Sequence, residues 1–349
     1  MESLDLFRKE VEANGDPRGQ YDVGRLYELG LGVEKSDEEA ARWFRLAAGQ
    51  GNADAQQKMG FKHLHGNGVE WSDEEAARWF KLAAEQGKID AQFILGSFYS
   101  DGKGVDQSDE EAVRWFRLAA EQGDSGAQFM LGWMYEEGRG VEQSYEEAVK
   151  WYRKAADQGD LDSQLSLGYL YEKGMGVEQS GEEAVKWYRK AADQGDYLAQ
   201  LELGHMYGYG VGVERDLYEA SKWYGHLASK GDSSAVANLG CLAYMEGSEQ
   251  SYEEARGLFE KASDMGSSIS KVFLASMYID GLAGAASKEK ALELLTEALE
   301  AEDEDAQRIL AMAEGGDWRG CSLEIKKLIF DPVEYVPLEE PLPDRQDTA

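Results

Sequence analysis

The chain of 349 residues carries 36 Lys plus Arg against 68 Asp plus Glu, a formal net charge of −32. A negative surplus on this scale excludes nucleic-acid phosphates and anionic membrane surfaces as natural partners, and favours a solvated, soluble surface that would attract a basic protein. Hydrophobic residues make up 42%, enough for a core, but no apolar run approaches the roughly 18 residues of a membrane-spanning helix.

The two cysteines, Cys241 and Cys321, are too few to staple a repeating structure and read as free thiols in a reducing compartment. The N-terminal Met-Glu-Ser-Leu-Asp-Leu-Phe-Arg-Lys-Glu lacks the apolar core of a signal peptide. A cytoplasmic location is expected.

Tryptophan recurs as Trp43, Trp79, Trp115, Trp151, Trp187 and Trp223, each 36 residues after the last. A fixed period in this range marks a solenoid of small supersecondary units. The stack is read as one continuous body, against the two domains that length alone would suggest.

Residues 1–15 match the second half of a unit, with Phe7 at the tryptophan position, Val11 at a core alanine and Gly15 as the stop, and read as an N-terminal capping helix. Regular units then start at Asp16, Asn52, Lys88, Asp124, Asp160 and Asp196. In the third unit Ala91, Leu95 and Tyr99 lie four apart and form one apolar stripe of a helix. A glycine inside that helix recurs as Gly24, Gly60, Gly96, Gly132, Gly168, Gly204 and Gly240. Glycine there costs about 1 kcal/mol against alanine, so its recurrence implies a neighbouring helix too close for a side chain.

A Gly-x-Gly-Val loop follows, as in Gly102-Lys103-Gly104-Val105. Its glycines permit positive φ at the helix end, and its valine is expected to plug the space between helices. No strand precedes it, so it is not a phosphate-binding fingerprint. The second helix opens on Ser-x-x-Glu at Ser36/Glu39, Ser72/Glu75, Ser108/Glu111, Ser144/Glu147 and Ser180/Glu183, the pattern of a capping box. Its tryptophan is expected to fill the gap between helices, and it stops at Gly51, Gly87, Gly123, Gly159, Gly195 or Gly231.

Together these read Ala-x-Ala-Gln-x-x-Leu-Gly-x-x-Tyr, Gly-x-Gly-Val, then Ala-x-x-Trp-Phe/Tyr-x-x-Ala-Ala-x-x-Gly. The pattern closely resembles the Sel1-like repeat, a relative of the tetratricopeptide repeat. The resemblance implies an all-α protein, an α/α solenoid superhelix of about eight helix–turn–helix repeats with capping helices and a concave groove. It also implies an adaptor in complex assembly, with no catalytic residues to carry over.

On this reading six regular repeats occupy 16–231, and two degenerate repeats with a closing helix at 305–310 occupy 232–320. Phe259 approximates the tryptophan of the seventh. Residues 321–349 hold a short helix from Ser322 to Phe330 and then an acidic segment with four of the five prolines. That segment is expected to be extended, either as a disordered tail or with Tyr335, Val336 and Leu338 docked on its own or a neighbouring solenoid.

No catalytic constellation is legible. The histidines are His63, His65, His205 and His226. His63 replaces a stripe tyrosine and reads as a core residue, and no Cys/His set has zinc spacing. We therefore expect no enzyme, no cofactor and no metal. Recognition is sought where the units differ. The position after the packing glycine reads Arg25, Phe61, Ser97, Trp133, Tyr169 and His205, and the position three before it reads Asp22, Lys58, Ile94, Met130, Ser166 and Glu202. Residues three apart share a helix face, which in related solenoids lines the groove; the alternative is packing between adjacent units.

Phe61, Ile94, Ser97, Met130, Trp133, Tyr169 and His205, with the acidic Asp101, Glu137 and Glu202, are the expected partner-binding residues. They would suit a protein or peptide with apolar anchors and basic flanks. The function read from this is a non-catalytic interaction scaffold. The alternative is an immunity or inhibitor protein that neutralises one toxin or enzyme.

Overall fold

The computed structural model describes residues 2–282, 284–299 and 304–330. The proline-containing segment, with the docking expected of Tyr335, Val336 and Leu338, lies outside the described residues. Among the described residues all regular structure is helical. The chain divides into two compact units, 1–179 and 180–349, where the period had suggested one continuous body. Each is described by itself.

In the first unit, α1 (Glu2–Asn14) caps four helix pairs: α2 (Pro17–Leu29) with α3 (Asp37–Gly49), α4 (Ala53–His65) with α5 (Asp73–Glu85), α6 (Ile89–Asp101) with α7 (Asp109–Glu121), and α8 (Ser125–Glu137) with α9 (Tyr145–Asp157). These are repeats 1 to 4, and α10 (Leu161–Lys173) opens repeat 5. In the second unit α11 (Gly181–Asp193) completes repeat 5. Repeat 6 is α12 (Tyr197–Tyr209) with α13 (Leu217–Ser229), repeat 7 is α14 (Ser233–Glu246) with α15 (Glu249–Asp264), and repeat 8 is α16 (Ser268–Asp280) with α17 (Lys288–Leu299). Two more helices follow, α18 (Glu304–Glu314) and α19 (Trp318–Phe330).

The packing glycine faces an aromatic ring, not a helix backbone. A Cβ on Gly24, Gly60, Gly96 or Gly132 would stand 2.7 Å from the ring of Phe44, Phe80, Phe116 or Tyr152. That ring is the residue after each tryptophan. Phe44, Phe80 and Phe116 are fully buried and Tyr152 is 1% exposed, while Trp79 and Trp151 are only half-buried. Successive helix residues point about 100° apart, so the residue after the tryptophan turns inward to its own repeat's first helix. The tryptophan packs backward instead. Trp79 lies against the alanines of α3 and Met59, and Trp151 against those of α7 with Leu131 and Met134. The ring therefore locks a repeat internally and the tryptophan joins it to the one before. Phe259 belongs with the locking rings, because it covers Gly240.

The loop valines are half-buried plugs on these cores, as at Val69, Val105 and Val141. Gly104 has φ +65°, and a Cβ on it would collide with the Asp73 carbonyl at the start of α5. The loop thus presses on the previous repeat, and an ion pair fixes the same junction: Lys62 to Asp37 at 3.0 Å, Lys103 to Asp73 at 3.8 Å and Arg139 to Asp109 at 2.7 Å. The next junction has Met175 and Tyr145 at the Arg139 and Asp109 positions, an apolar exchange at both ends.

The capping box is half formed. Ser36, Ser72, Ser108, Ser144 and Ser180 each accept the amide of the glutamate three residues on. The glutamates do not reach back in repeats 1 to 4, because each serine amide already donates to the first helix, as Ser108 does to the Tyr99 carbonyl at 2.8 Å. They pair instead with Arg42, Arg78, Arg114 and Lys150 at i+3. Among the described residues a reciprocal box is formed by Ser248 with Ser251.

A buried glutamine stands in the first helix of each of repeats 1 to 6. Gln56, Gln92, Gln128 and Gln164 donate to the carbonyls of Ala48, Ala84, Ala120 and Ala156 at a helix end, each of which also accepts the amide of the glycine three residues on. Gln20, Gln56, Gln92 and Gln128 also accept from Gln50, Gln86, Gln122 and Gln158, thirty residues on, at 2.6–2.8 Å. In the second unit the position thirty after Gln200 is Lys230, and Gln200 Oε1 is buried without a partner.

Candidate functional site

The site residues expected in the first unit all stand on first helices. Phe61, Ile94, Ser97, Met130, Trp133 and Tyr169 are half-buried, and Asp101 and Glu137 are exposed at helix ends. Phe61 and Ile94 rest on the core formed by α5 and α6, and Met130 and Trp133 on the core formed by α7 and α8. Each therefore packs between neighbouring repeats on one side and meets solvent on the other. The aromatic faces carry cations. The Arg139 guanidinium sits 4.9 Å from the Trp133 centroid and also pairs with Asp109, and Lys173 lies over Tyr169 at 5.8 Å. Ser97 Oγ donates to the Phe93 carbonyl at 3.2 Å. Glu202 and His205 are half-buried on α12 in the second unit, where the His205 ring lies 4.8 Å from that of Tyr209.

Beside Phe61 the first-helix face opens into a depression of about 610 Å³. Its walls include Tyr21, Lys58, Phe61, Lys88, Ile89 and Asp90, of which the sequence reading had taken only Phe61. Lys58 pairs with Glu28 at 2.9 Å, Gln57 donates to Asp90 at 2.9 Å, and Lys88 pairs with Asp54. The recurring helix position does not flag Tyr21, four residues before Arg25 on α2, or Ile89, the first residue of α6.

The acidic side of the face is uneven. Glu136 on α8 accepts from Tyr152 Oη at 2.6 Å, and burial pushes its carboxyl above the ordinary range, partly offset by that bond. His63 is a satisfied core histidine: it is 8% exposed and its Nδ1 donates to the Glu70 carbonyl at 3.1 Å. Cys241 and Cys321 are free and buried, and burial raises both thiols. Among the described residues, no group of three or more His, Cys, Asp or Glu side chains could hold a metal ion, and no helix is long and apolar enough to cross a membrane.

The C-terminal end departs from the expected closing helix. α18 packs on α17, but α19 folds back onto the first helices α16 and α14. It buries Cys321, Ile325 and Ile329 in a core that includes Tyr244, Val272 and Phe273. Asp280 accepts from Ser322 Oγ at 2.8 and 2.9 Å and pairs with Lys326 at 2.8 Å. The ring of Phe330 lies 5.9 Å from Tyr244. The positions equivalent to Ser97 are Cys241 and Ser276 here, and both are buried, at 2% and 0% exposure.

Paired helices, locking rings and a face of variable side chains define an α/α repeat protein of the kind that serves as an interaction surface. The Sel1 repeat matches residues 17–52, 53–88, 89–124, 125–160, 161–196, 198–232, 233–267 and 268–303, and the chain belongs to that family. It is similar to the crystal structure of c5321, a protective antigen of uropathogenic Escherichia coli strains with an SLR fold. The two are 33% identical, the match covers 93% of this chain and 71% of that one, and the TM-score is 0.72. A Sel1 repeat protein from Oxalobacter formigenes is 34% identical over 63% of this chain and 90% of its own, with a TM-score of 0.56. No curated protein matches the sequence. Sel1 repeat proteins generally mediate protein–protein interaction and are typically non-catalytic scaffolds.

Proposed function

We propose that this chain is a non-catalytic cytoplasmic scaffold that holds a protein or peptide partner on the face of its first helices, through Phe61, Ile94, Met130, Trp133 and Tyr169 with Asp101 and Glu137 at the rim. One observation carries the reading. The residues at the Ser97 position are exposed or half-buried from repeat 1 to repeat 6, whereas in repeats 7 and 8, where α19 lies across the first helices, they are buried. Half-exposed aromatic side chains backed by a packed core are the usual anchors of an interface. The charge of −32 favours a basic partner and a fast, salt-sensitive encounter.

The test is affinity capture with the whole chain and with Phe61→Ala/Trp133→Ala. A partner held by the first-helix face is lost by that variant and kept by Leu46→Ala, which alters an exposed second-helix leucine. Equal capture by all three chains would refute the assignment. The narrower role of an immunity or inhibitor protein is read from the same capture, by whether the captured partner is a toxin or enzyme whose activity the chain suppresses.

A further inference from the structure

Repeat 8 ends its first helix with Ser276-Met277-Tyr278-Ile279-Asp280-Gly281, and repeat 3 ends its own with Ser97-Phe98-Tyr99-Ser100-Asp101-Gly102. The other six repeats lack both the serine and the aspartate at these positions. In repeat 8 this ending is the seat of a helix: Asp280 takes Ser322 and Lys326, and one residue before each of these Cys321 and Ile325 enter the core. The local backbone matches. Both first helices stop at a left-handed glycine with φ 69°, Gly102 and Gly281, and the carbonyls of Tyr99 and Tyr278 both accept from the serine that opens the next helix.

We propose that repeat 3 is a second seat of this kind, for an amphipathic helix of a partner protein; this rests on the scaffold reading above. Its chemistry follows from α19: apolar side chains every four residues, as at Cys321, Ile325 and Ile329, with a lysine after one of them to meet Asp101. Across the neighbouring repeats the Ser97 position reads Phe61, Ser97, Trp133, a small side chain between two aromatic ones. Phe61 and Ile94 supply the apolar floor beside it, and the depression next to Phe61 gives room for one larger apolar side chain. A basic helix complements a chain of net charge −32, and Glu137 one repeat on adds a second exposed carboxylate.

The experiment uses the full chain and a labelled synthetic peptide of residues 318–330 with Cys321→Ser, followed by fluorescence anisotropy. The expected result is saturable binding that weakens about tenfold with Asp101→Ala, the loss of one desolvated charge pair. The peptide with Lys326→Glu loses binding to the natural chain and regains it on Asp101→Lys, a rescue that misfolding cannot mimic. Binding indifferent to Asp101→Ala, or lost with Asp280→Ala instead, places the peptide at the seat of α19 and overturns the proposal. Self-association of the natural chain that Asp101→Ala abolishes assigns the seat to a second copy and overturns it equally. If the peptide fails while capture still depends on Trp133, this inference falls and the scaffold reading stands; if capture also fails, both fall.

Discussion

A side-chain carbon added to Gly96 would begin 2.7 Å from the ring of Phe116, a residue with no solvent exposure. The ring lies in a buried core with Ala119 and Leu131, where close packing resists its displacement. Gly96→Ala gains about 1 kcal/mol of helix propensity but meets an overpacking cost of about 1–3 kcal/mol. We expect a net loss of up to about 2 kcal/mol in urea unfolding, relieved in the double variant Gly96→Ala/Phe116→Leu. An additive pair would show that ring and glycine are not coupled.

A locking ring and a half-buried tryptophan of the next repeat should differ in weight. Phe116→Ala empties a fully buried site and should cost about 3–5 kcal/mol. Trp151 is half-buried, with Lys154 stacked 3.6 Å from its ring centroid. Trp151→Ala should cost about 1–2 kcal/mol less than Phe116→Ala. Equal losses would restore the tryptophan as the principal filler.

Gln200 Oε1 is buried and unpaired because Lys230 stands where the first-unit repeats place a glutamine. Lys230→Gln should complete the pair and stabilise the chain by about 1 kcal/mol, the value of one satisfied buried acceptor. Gln92→Ala, which removes two hydrogen bonds but leaves the Ala84 carbonyl with the Gly87 amide and the Gln122 amide with the Leu118 carbonyl, should cost about 1–2 kcal/mol. A destabilised Lys230→Gln chain would count against the ladder.

Glu136 should make stability depend on pH. Its folded-state carboxyl titrates above the ordinary range because burial disfavours the charged form. Between the unfolded and folded values the native state therefore holds more protons, so the contribution of this group falls as pH rises through that window. Glu136→Gln keeps an acceptor for Tyr152 and removes the charge. Its urea midpoint should exceed that of the natural chain at pH 7, with the gap closing under acid conditions where both states are protonated. A pH-independent gap would assign the effect to packing.

Much of the molecule was legible because each repeat solves the same local problem. The tryptophan period, the positive-φ glycines of the loops and the serine caps answer to backbone rules acting within a few residues, and those rules place the helices. The variable positions were legible as the places where repeats disagree on a fixed helix face, and the structure leaves them half-buried or exposed in repeats 1 to 6. What a residue meets across the fold was not. Phe116 and Trp115 are adjacent, both aromatic and both compatible with the core, and only the phase of α7 against α6 decides which ring covers Gly96. The second half of the capping box failed for a similar reason, since a tertiary bond from Ser108 to Tyr99 had already taken the amide.

The sequence alone therefore determined the repeat, its helices and its caps, because their causes are local and occur many times over. Tertiary structure decided the direction of each ring, the partners of each glutamine and the return of α19 onto α14 and α16. Those choices depend on contacts between residues about twenty to ninety positions apart, whose free energy exists only once the helices are packed.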